Sequence, residues 1–306
     1  MNRNKVFKFL RIFPIFLVIA TLLLSALLCI MLYRHTNRPE YPARRKEEHA
    51  LFNNVLLNIF QAKPISFVTT DSIKISGLLL TRPQAKKNIL VCHGYRMAKE
   101  RMHRFALMFP NDNILLFDYR AHGESKGEHS SIGYYEKNDV IAALQFLKNN
   151  EETENFPIIG IGVSMGAVTL LCAAVESNLC DVIILDAPFA RLDEQVHRML
   201  THRYKLPHFP FSIVGRKFLE RLRNFNLTEV DSIASARQLK IPVLMIHSED
   251  DETVPIENAH RIYQEITAPK ELWVVSGSGH ARIFTDKPHE YRERINIFLN
   301  SIVIGS

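Results

Sequence analysis

Gly162-Val163-Ser164-Met165-Gly166 decides the reading of this chain, because of what stands on either side of it. Upstream, Pro157-Ile158-Ile159-Gly160-Ile161 is a short apolar run with the pattern of a strand buried on both faces. Downstream, Ala167-Val168-Thr169-Leu170-Leu171-Cys172-Ala173-Ala174 reads as the apolar start of a helix. A serine set between two glycines at such a strand-to-helix turn sits on a bend so tight that only small residues fit around it. The strained backbone lifts the hydroxyl clear of the sheet edge. The helix that follows turns its unpaired N–H groups, and the positive end of its dipole, toward any oxyanion forming beside that hydroxyl.

Alone, a Gly-x-Ser-x-Gly pattern arises by chance in roughly one chain of this length in ten, so the later segments matter. Pro242-Val243-Leu244-Met245-Ile246-His247 is a strand running into the acidic turn Ser248-Glu249-Asp250-Asp251-Glu252-Thr253-Val254-Pro255. Glu271-Leu272-Trp273-Val274-Val275 is another, ending in Ser276-Gly277-Ser278-Gly279-His280. Serine, acid and histidine thus follow three strands in the order Ser…Asp…His, which separates the arrangement from the chymotrypsin and subtilisin orders. Ser164 is the candidate nucleophile. His280 is the candidate base over His93, His122 and His247, because the flexible Gly277-Ser278-Gly279 loop can carry its imidazole to the serine. The acid is Asp250 or Asp251.

Further strands at Ile89–Cys92, Asn113–Asp118 and Asp181–Asp186 alternate with helical segments, after a hairpin of residues 65–70 and 73–81 with Asp71-Ser72 at its turn. That alternation predicts an α/β fold with a mostly parallel, doubly covered sheet and its site at the carboxyl ends of the strands. The rhythm breaks at residues 191–240, about fifty residues where one crossover helix needs far fewer.

Over residues 65–302 the chain resembles the α/β-hydrolase superfamily, and most of all its serine aminopeptidase-like or prolyl-oligopeptidase-like branch, which includes membrane-anchored members. Ile89-Leu90-Val91-Cys92-His93-Gly94-Tyr95 is similar to the family's third strand and His-Gly oxyanion turn. Asp118-Tyr119-Arg120-Ala121-His122-Gly123-Glu124-Ser125 is similar to its Asp-x-Arg-Gly-x-Gly-x-Ser segment. The resemblance implies backbone N–H donors at Tyr95 and Met165, and a structural role for His93 in the oxyanion turn; His122 reads as a loop histidine. It favours Asp251, which opens the family's Asp-x-x-Val-Pro pattern, and leaves Asp250 as a solvated neighbour. It also implies that residues 191–240 form a helical lid over the site. Ala121 and Ser248 stand where the family usually has glycine; both are small, so altered loops with intact chemistry are expected.

Charge and composition narrow the remaining classes. The 306 residues are 47% hydrophobic, enough for one large α/β domain, and carry a formal charge of +6. Residues 1–46 hold nine basic residues and one acidic one, and the remainder 29 basic and 31 acidic. With no basic excess in the domain, nucleic acid is not an expected partner. Residues 12–33 carry no charge and are long enough to cross a hydrocarbon core of about 30 Å. They read as an uncleaved signal anchor between a basic tail (1–11) and a linker with a short helix (34–63), ahead of a hydrolase domain (64–306). No small-x-small site follows the apolar run, against a cleaved signal peptide. Basic residues flank the span on both sides; the shortness of the N-terminal tail favours the outer face for the catalytic part.

No His-Glu-x-x-His or Cys-x-x-Cys is present, so neither metal nor other cofactor is expected. Gly160-Ile161-Gly162 precedes a helix, but Gly166 comes one position late for a dinucleotide fingerprint and several strands precede it. The expected function is a membrane-held serine hydrolase cleaving a carboxylic ester or thioester, of a lipid or acylated substrate, through an acyl-enzyme. An amidase or peptidase with the same residues, or a binding scaffold without catalysis, are the alternatives. The residue 191–240 insertion carries ten basic and five acidic residues among apolar ones, a pattern that suits an amphiphilic substrate at a membrane.

Overall fold

Eight strands build one sheet in the computed structural model, which describes residues 3–37 and 43–302. The strands are β1 Lys63–Val68, β2 Lys74–Leu80, β3 Asn88–Cys92, β4 Asn113–Phe117, β5 Ile158–Val163, β6 Val182–Asp186, β7 Val243–Ser248 and β8 Lys270–Val275. Their spatial order is β1-β2-β4-β3-β5-β6-β7-β8. The β1–β2 and β2–β4 pairings are antiparallel; every pairing from β4 onward through β3 to β8 is parallel. Pro64 lies in the edge strand β1, where its missing N–H is harmless.

The helices are α1 Arg3–Thr36, α2 Ala43–Asn54, α3 His103–Met108, α4 Glu136–Asn149, α5 Met165–Ser177, α6 Leu192–Arg198, α7 Ile213–Arg223, α8 Ser232–Ala236, α9 Glu257–Glu265, α10 Ile283–Asp286 and α11 Pro288–Ser301. They cover both faces of the sheet, as the continuous apolar strands require. On one face Leu79, Leu90 and Leu115 pack with Val140 and Leu144 of α4, Leu170 of α5 and Ile262 of α9. On the other Leu78, Leu80, Ile89 and Val91 pack with Phe105 of α3 and Tyr291, Ile295 and Phe298 of α11. The alternation of Leu78, Leu79 and Leu80 between faces is the strand period of two.

A third apolar cluster has a composition that the sequence does not announce. It joins Leu28 and Leu32 of α1 to Val168 of α5 and to Leu192, Val196, Leu200, Phe211 and Leu219 of the insertion between β6 and β7. From Phe13 to Thr36, α1 is long and apolar enough to cross a membrane. Its last turns nevertheless belong to the domain: Leu28, Leu32 and Thr36 fall on one side of the helix and are buried. Gly215 of α7 permits the approach, since a Cβ there would lie 3.2 Å from Leu32 and 3.1 Å from Leu200. The start of the segment expected as a linker, Arg34 to Thr36, is helical, and Ser130 donates to the Thr36 carbonyl at 2.8 Å.

Candidate active site

Strand β5 ends at Val163 and α5 begins at Met165, leaving Ser164 alone to make the turn, at φ 55° and ψ −116°. That backbone costs a non-glycine residue about 1–3 kcal/mol. Its surroundings hold it there: the Ser164 amide donates to the Asp186 carbonyl at 2.7 Å. The flanking glycines are sterically required. A Cβ on Gly162 would meet the Gly166 carbonyl oxygen at 2.4 Å, and one on Gly166 the Cys92 carbonyl oxygen at 2.1 Å.

The loop after β8 brings His280 to this serine, with Nε2 2.8 Å from Ser164 Oγ. The loop after β7 brings Asp251 to the other side of the ring, with Oδ2 2.6 Å from His280 Nδ1. Asp251 is buried, and its Oδ1 accepts from the amides of Thr253 at 2.9 Å and Val254 at 2.8 Å. An ionised carboxylate so fixed accepts the Nδ1 proton and leaves Nε2 free to accept from the serine hydroxyl. Asp250 has a different position. It is exposed, and its Oδ2 accepts from the Gly277 amide at 2.6 Å, tying the acid loop to the histidine loop. Ser248 adds a second tie, its hydroxyl donating to the Ser278 carbonyl. The serine at this position, a departure from the family's glycine, therefore links the two loops.

The Gly94-Tyr95 turn lies against Ser164: a Cβ on Gly94 would be 3.5 Å from Ser164 Cβ. Two buried histidines hold its flanks. His93 Nε2 accepts from the Tyr119 amide at 3.2 Å, so its Nδ1–H donates to the Gly94 carbonyl at 2.8 Å. His122 Nε2 accepts from the Arg96 amide at 3.2 Å, and its Nδ1–H donates to the Arg120 carbonyl at 2.9 Å. His122 is thus a buried brace of the oxyanion turn rather than a mere loop histidine; burial lowers its pKa and keeps it neutral. The Tyr95 hydroxyl donates to the His35 carbonyl in the last turn of α1. Thr36, next along, accepts from Arg223 of α7 through Nη2 at 2.8 Å and Nε at 3.2 Å. Met165 opens α5, so its amide has no acceptor within the helix.

Ala121 stands at φ 59°, the left-handed conformation that glycine would adopt freely. Its amide donates to the Lys126 carbonyl at 2.9 Å and closes the turn in spite of that cost. Nearby, Glu100, Asp118 and Glu124 are the carboxylates close enough together, among the described residues, to hold a cation. They already surround the Lys99 ammonium, at 2.9, 2.7 and 2.7 Å. The donor set is satisfied by a side chain of the chain itself.

One buried acid near the site escaped the sequence reading. Asp186 ends β6, and neither of its oxygens makes a hydrogen bond of good geometry; the Tyr291 hydroxyl and the Asp251 carboxylate are its polar neighbours. Desolvation pushes its pKa up to about 8. Because the folded value lies above the unfolded one, near 3.9, its stabilising contribution is complete at low pH and is lost as pH rises toward 8. Asp186→Asn is therefore expected to flatten this part of the profile. Between about pH 5 and 8 the thermal midpoint of the native protein should fall relative to the variant; parallel curves would show that Asp186 does not titrate there.

Comparisons with known proteins agree with this architecture. Residues 83–225 match the family model described as serine aminopeptidase, S33. The uncharacterized protein YqkD of Bacillus subtilis is 35% identical over 235 residues, covering 74% of this chain and 76% of its own. The lysophosphatidylserine lipase ABHD12 of Danio rerio is 27% identical over 195 residues, 60% of this chain and 48% of that one. Among solved structures, the Pyrococcus furiosus esterase Pf2001 superposes with a TM-score of 0.67 at 27% identity, over 81% of this chain and 93% of its own. The chain belongs to the α/β-hydrolase superfamily.

Proposed function

We propose that this protein is a serine hydrolase, held at a membrane by α1, that cleaves a carboxylic ester or thioester of a lipid or otherwise acylated substrate. The observation that carries the reading is the unbroken line Ser164 Oγ–His280–Asp251, at 2.8 and 2.6 Å. His280 takes the serine proton as Oγ attacks the acyl carbon, and Asp251 stabilises the imidazolium that forms. The amides of Tyr95 and Met165 hold the oxyanion of the tetrahedral intermediate. The imidazolium then protonates the leaving group, and water, activated by the same histidine, releases the acid from Ser164. Support for an ester comes from the esterase and lipase among the similar proteins. The match to a serine aminopeptidase model favours a second reading, an amide or peptide substrate for the same residues.

The test is labelling by a fluorophosphonate, followed by a panel of matched ester, thioester and amide substrates. The native protein should react and Ser164→Ala should not; a native protein that stays unlabelled is a scaffold rather than an enzyme. Activity should also fall on the acid side, because only a neutral imidazole accepts the serine proton. Undiminished kcat/KM at about pH 4 would exclude a histidine base.

A further inference from the structure

Helices α1 and α7 lie side by side and run in the same direction. Near the start of α7, a Cβ on Gly215 would lie 3.2 Å from Leu32 and 3.5 Å from Leu28. At its end, Arg223 reaches Thr36 at 2.8 Å. The helical residues just before Gly215, with Phe209 joined to them across a non-helical step, therefore lie toward the side from which α1 arrives. Two of them are large, apolar and open: Phe209 is 74% and Ile213 45% exposed. Phe211 between them is buried in the cluster that holds Leu28 and Leu32, so Phe209 is the outward residue of the same short segment.

The length of α1 sets how deep this edge sits. Charge ends at Arg11 and resumes at Arg34. Counted from Ile12 at about 1.5 Å per residue, a hydrocarbon core of about 30 Å is filled only after about 20 residues. That point falls beside Leu32, already within the docked turns. Tilting the helix lowers the rise per residue along the membrane normal and moves the boundary further along the chain. The level at which Gly215 packs is thus at or inside the edge of the apolar layer. Lys217 and Arg221 follow on α7; both are exposed and share a surface cleft with Glu220, Asn224, Phe225 and Asn226.

We infer that the edge of the insertion formed by Phe209 and Ile213 is sunk into the bilayer that holds α1, with Lys217 and Arg221 at the level of anionic phospholipid headgroups. The inference rests on the membrane role of α1 proposed above and deepens it. The insertion also packs on the acid loop, through Val254 and the bond from Arg198 to the Glu252 carbonyl at 2.9 Å. The site therefore meets the lipid surface along one wall and draws an acyl substrate from that leaflet. Phe209 is what tells this surface from an ordinary solvated helix: a ring so exposed gives up its hydrophobic burial in water, which an acyl layer restores.

Fluorescence quenching in the full-length protein tests it. Trp273 is the one tryptophan of the sequence, so a Trp273→Phe background accepts single probes at Leu23 of α1, at Phe209, and at Ile297 of α11 on the far side of the sheet. The protein is reconstituted in phosphatidylglycerol–phosphatidylcholine vesicles whose acyl chains carry bromine. Probes at 23 and 209 should lose emission together while that at 297 keeps it. Quenching at 23 with position 209 as bright as 297 overturns the inference and leaves the anchor standing; no quenching at 23 removes both. Quenching at 209 should also be stronger with phosphatidylglycerol than with phosphatidylcholine alone, and Lys217→Glu with Arg221→Glu should abolish that difference. Equal quenching in the two lipids overturns the headgroup contact.

Discussion

Alanine at Ser164 or at His280 is expected to lower kcat by about 10⁴-fold or more, with the fold intact. Neither side chain is a packing element. Ser164 owes its position to backbone contacts, the amide bond to Asp186 and the two glycines, which a Ser164→Ala variant keeps. His280 is partly exposed at the end of a loop. In the mechanism proposed above the two act as one unit, because Ser164 would be activated only through the 2.8 Å contact to Nε2. The double variant should therefore be about as inactive as either single one. Steady-state kinetics on a soluble short-chain ester, with circular dichroism as the check on folding, measures this. A double variant far below both singles would mean that the two residues serve different steps.

Asparagine at Asp251 is expected to cost nearly as much, about 10⁴-fold, while asparagine at Asp250 stays within about tenfold. The difference follows from where each carboxylate sits. Asp251 is buried, and its Oδ2 takes the Nδ1 proton of His280 at 2.6 Å. An amide nitrogen turned toward Nδ1 would donate where a proton already sits and select the wrong tautomer. Asp250 is exposed, and its carboxylate accepts from the Gly277 amide. Its loss loosens the histidine loop without changing the ring's protonation. A reversed ranking in kcat/KM would move the acid by one residue.

The sheet and the three side chains that meet at the end of it, Ser164, His280 and Asp251, were legible in the sequence because each is a local signal. Apolar runs mark the strands, and each reactive residue follows one of them within a turn rich in small residues. The same reasoning missed whatever depends on distant segments. His122 looks like any loop histidine until Arg96 is brought to it by the fold. Asp186 looks like a strand end, and only burial beside Asp251 and Tyr291 gives it an unusual ionisation. The end of α1 was hidden for another reason. In a run this uniformly apolar, the buried side at Leu28, Leu32 and Thr36 leaves no trace in the hydropathy pattern. Charge misled as well: Arg223 counts among the basic residues of the insertion, yet it is buried against Thr36 and the Tyr33 ring. Arg216 is paired with Glu220 at 3.0 Å. That leaves Lys217 and Arg221 as exposed cations of α7.

The docked end of α1 makes the apolar helix a structural part of the domain that follows it. Cleavage beyond Thr36 would take away Leu28, Leu32 and Thr36 together. Arg223 would lose Thr36 as its acceptor, and the Tyr95 hydroxyl would lose the His35 carbonyl that fixes the far side of its turn. A domain cut free of α1 would therefore be a loosened one, with Val168 of α5 and Gly215 and Leu219 of α7 opened to water where Leu28 and Leu32 had covered them.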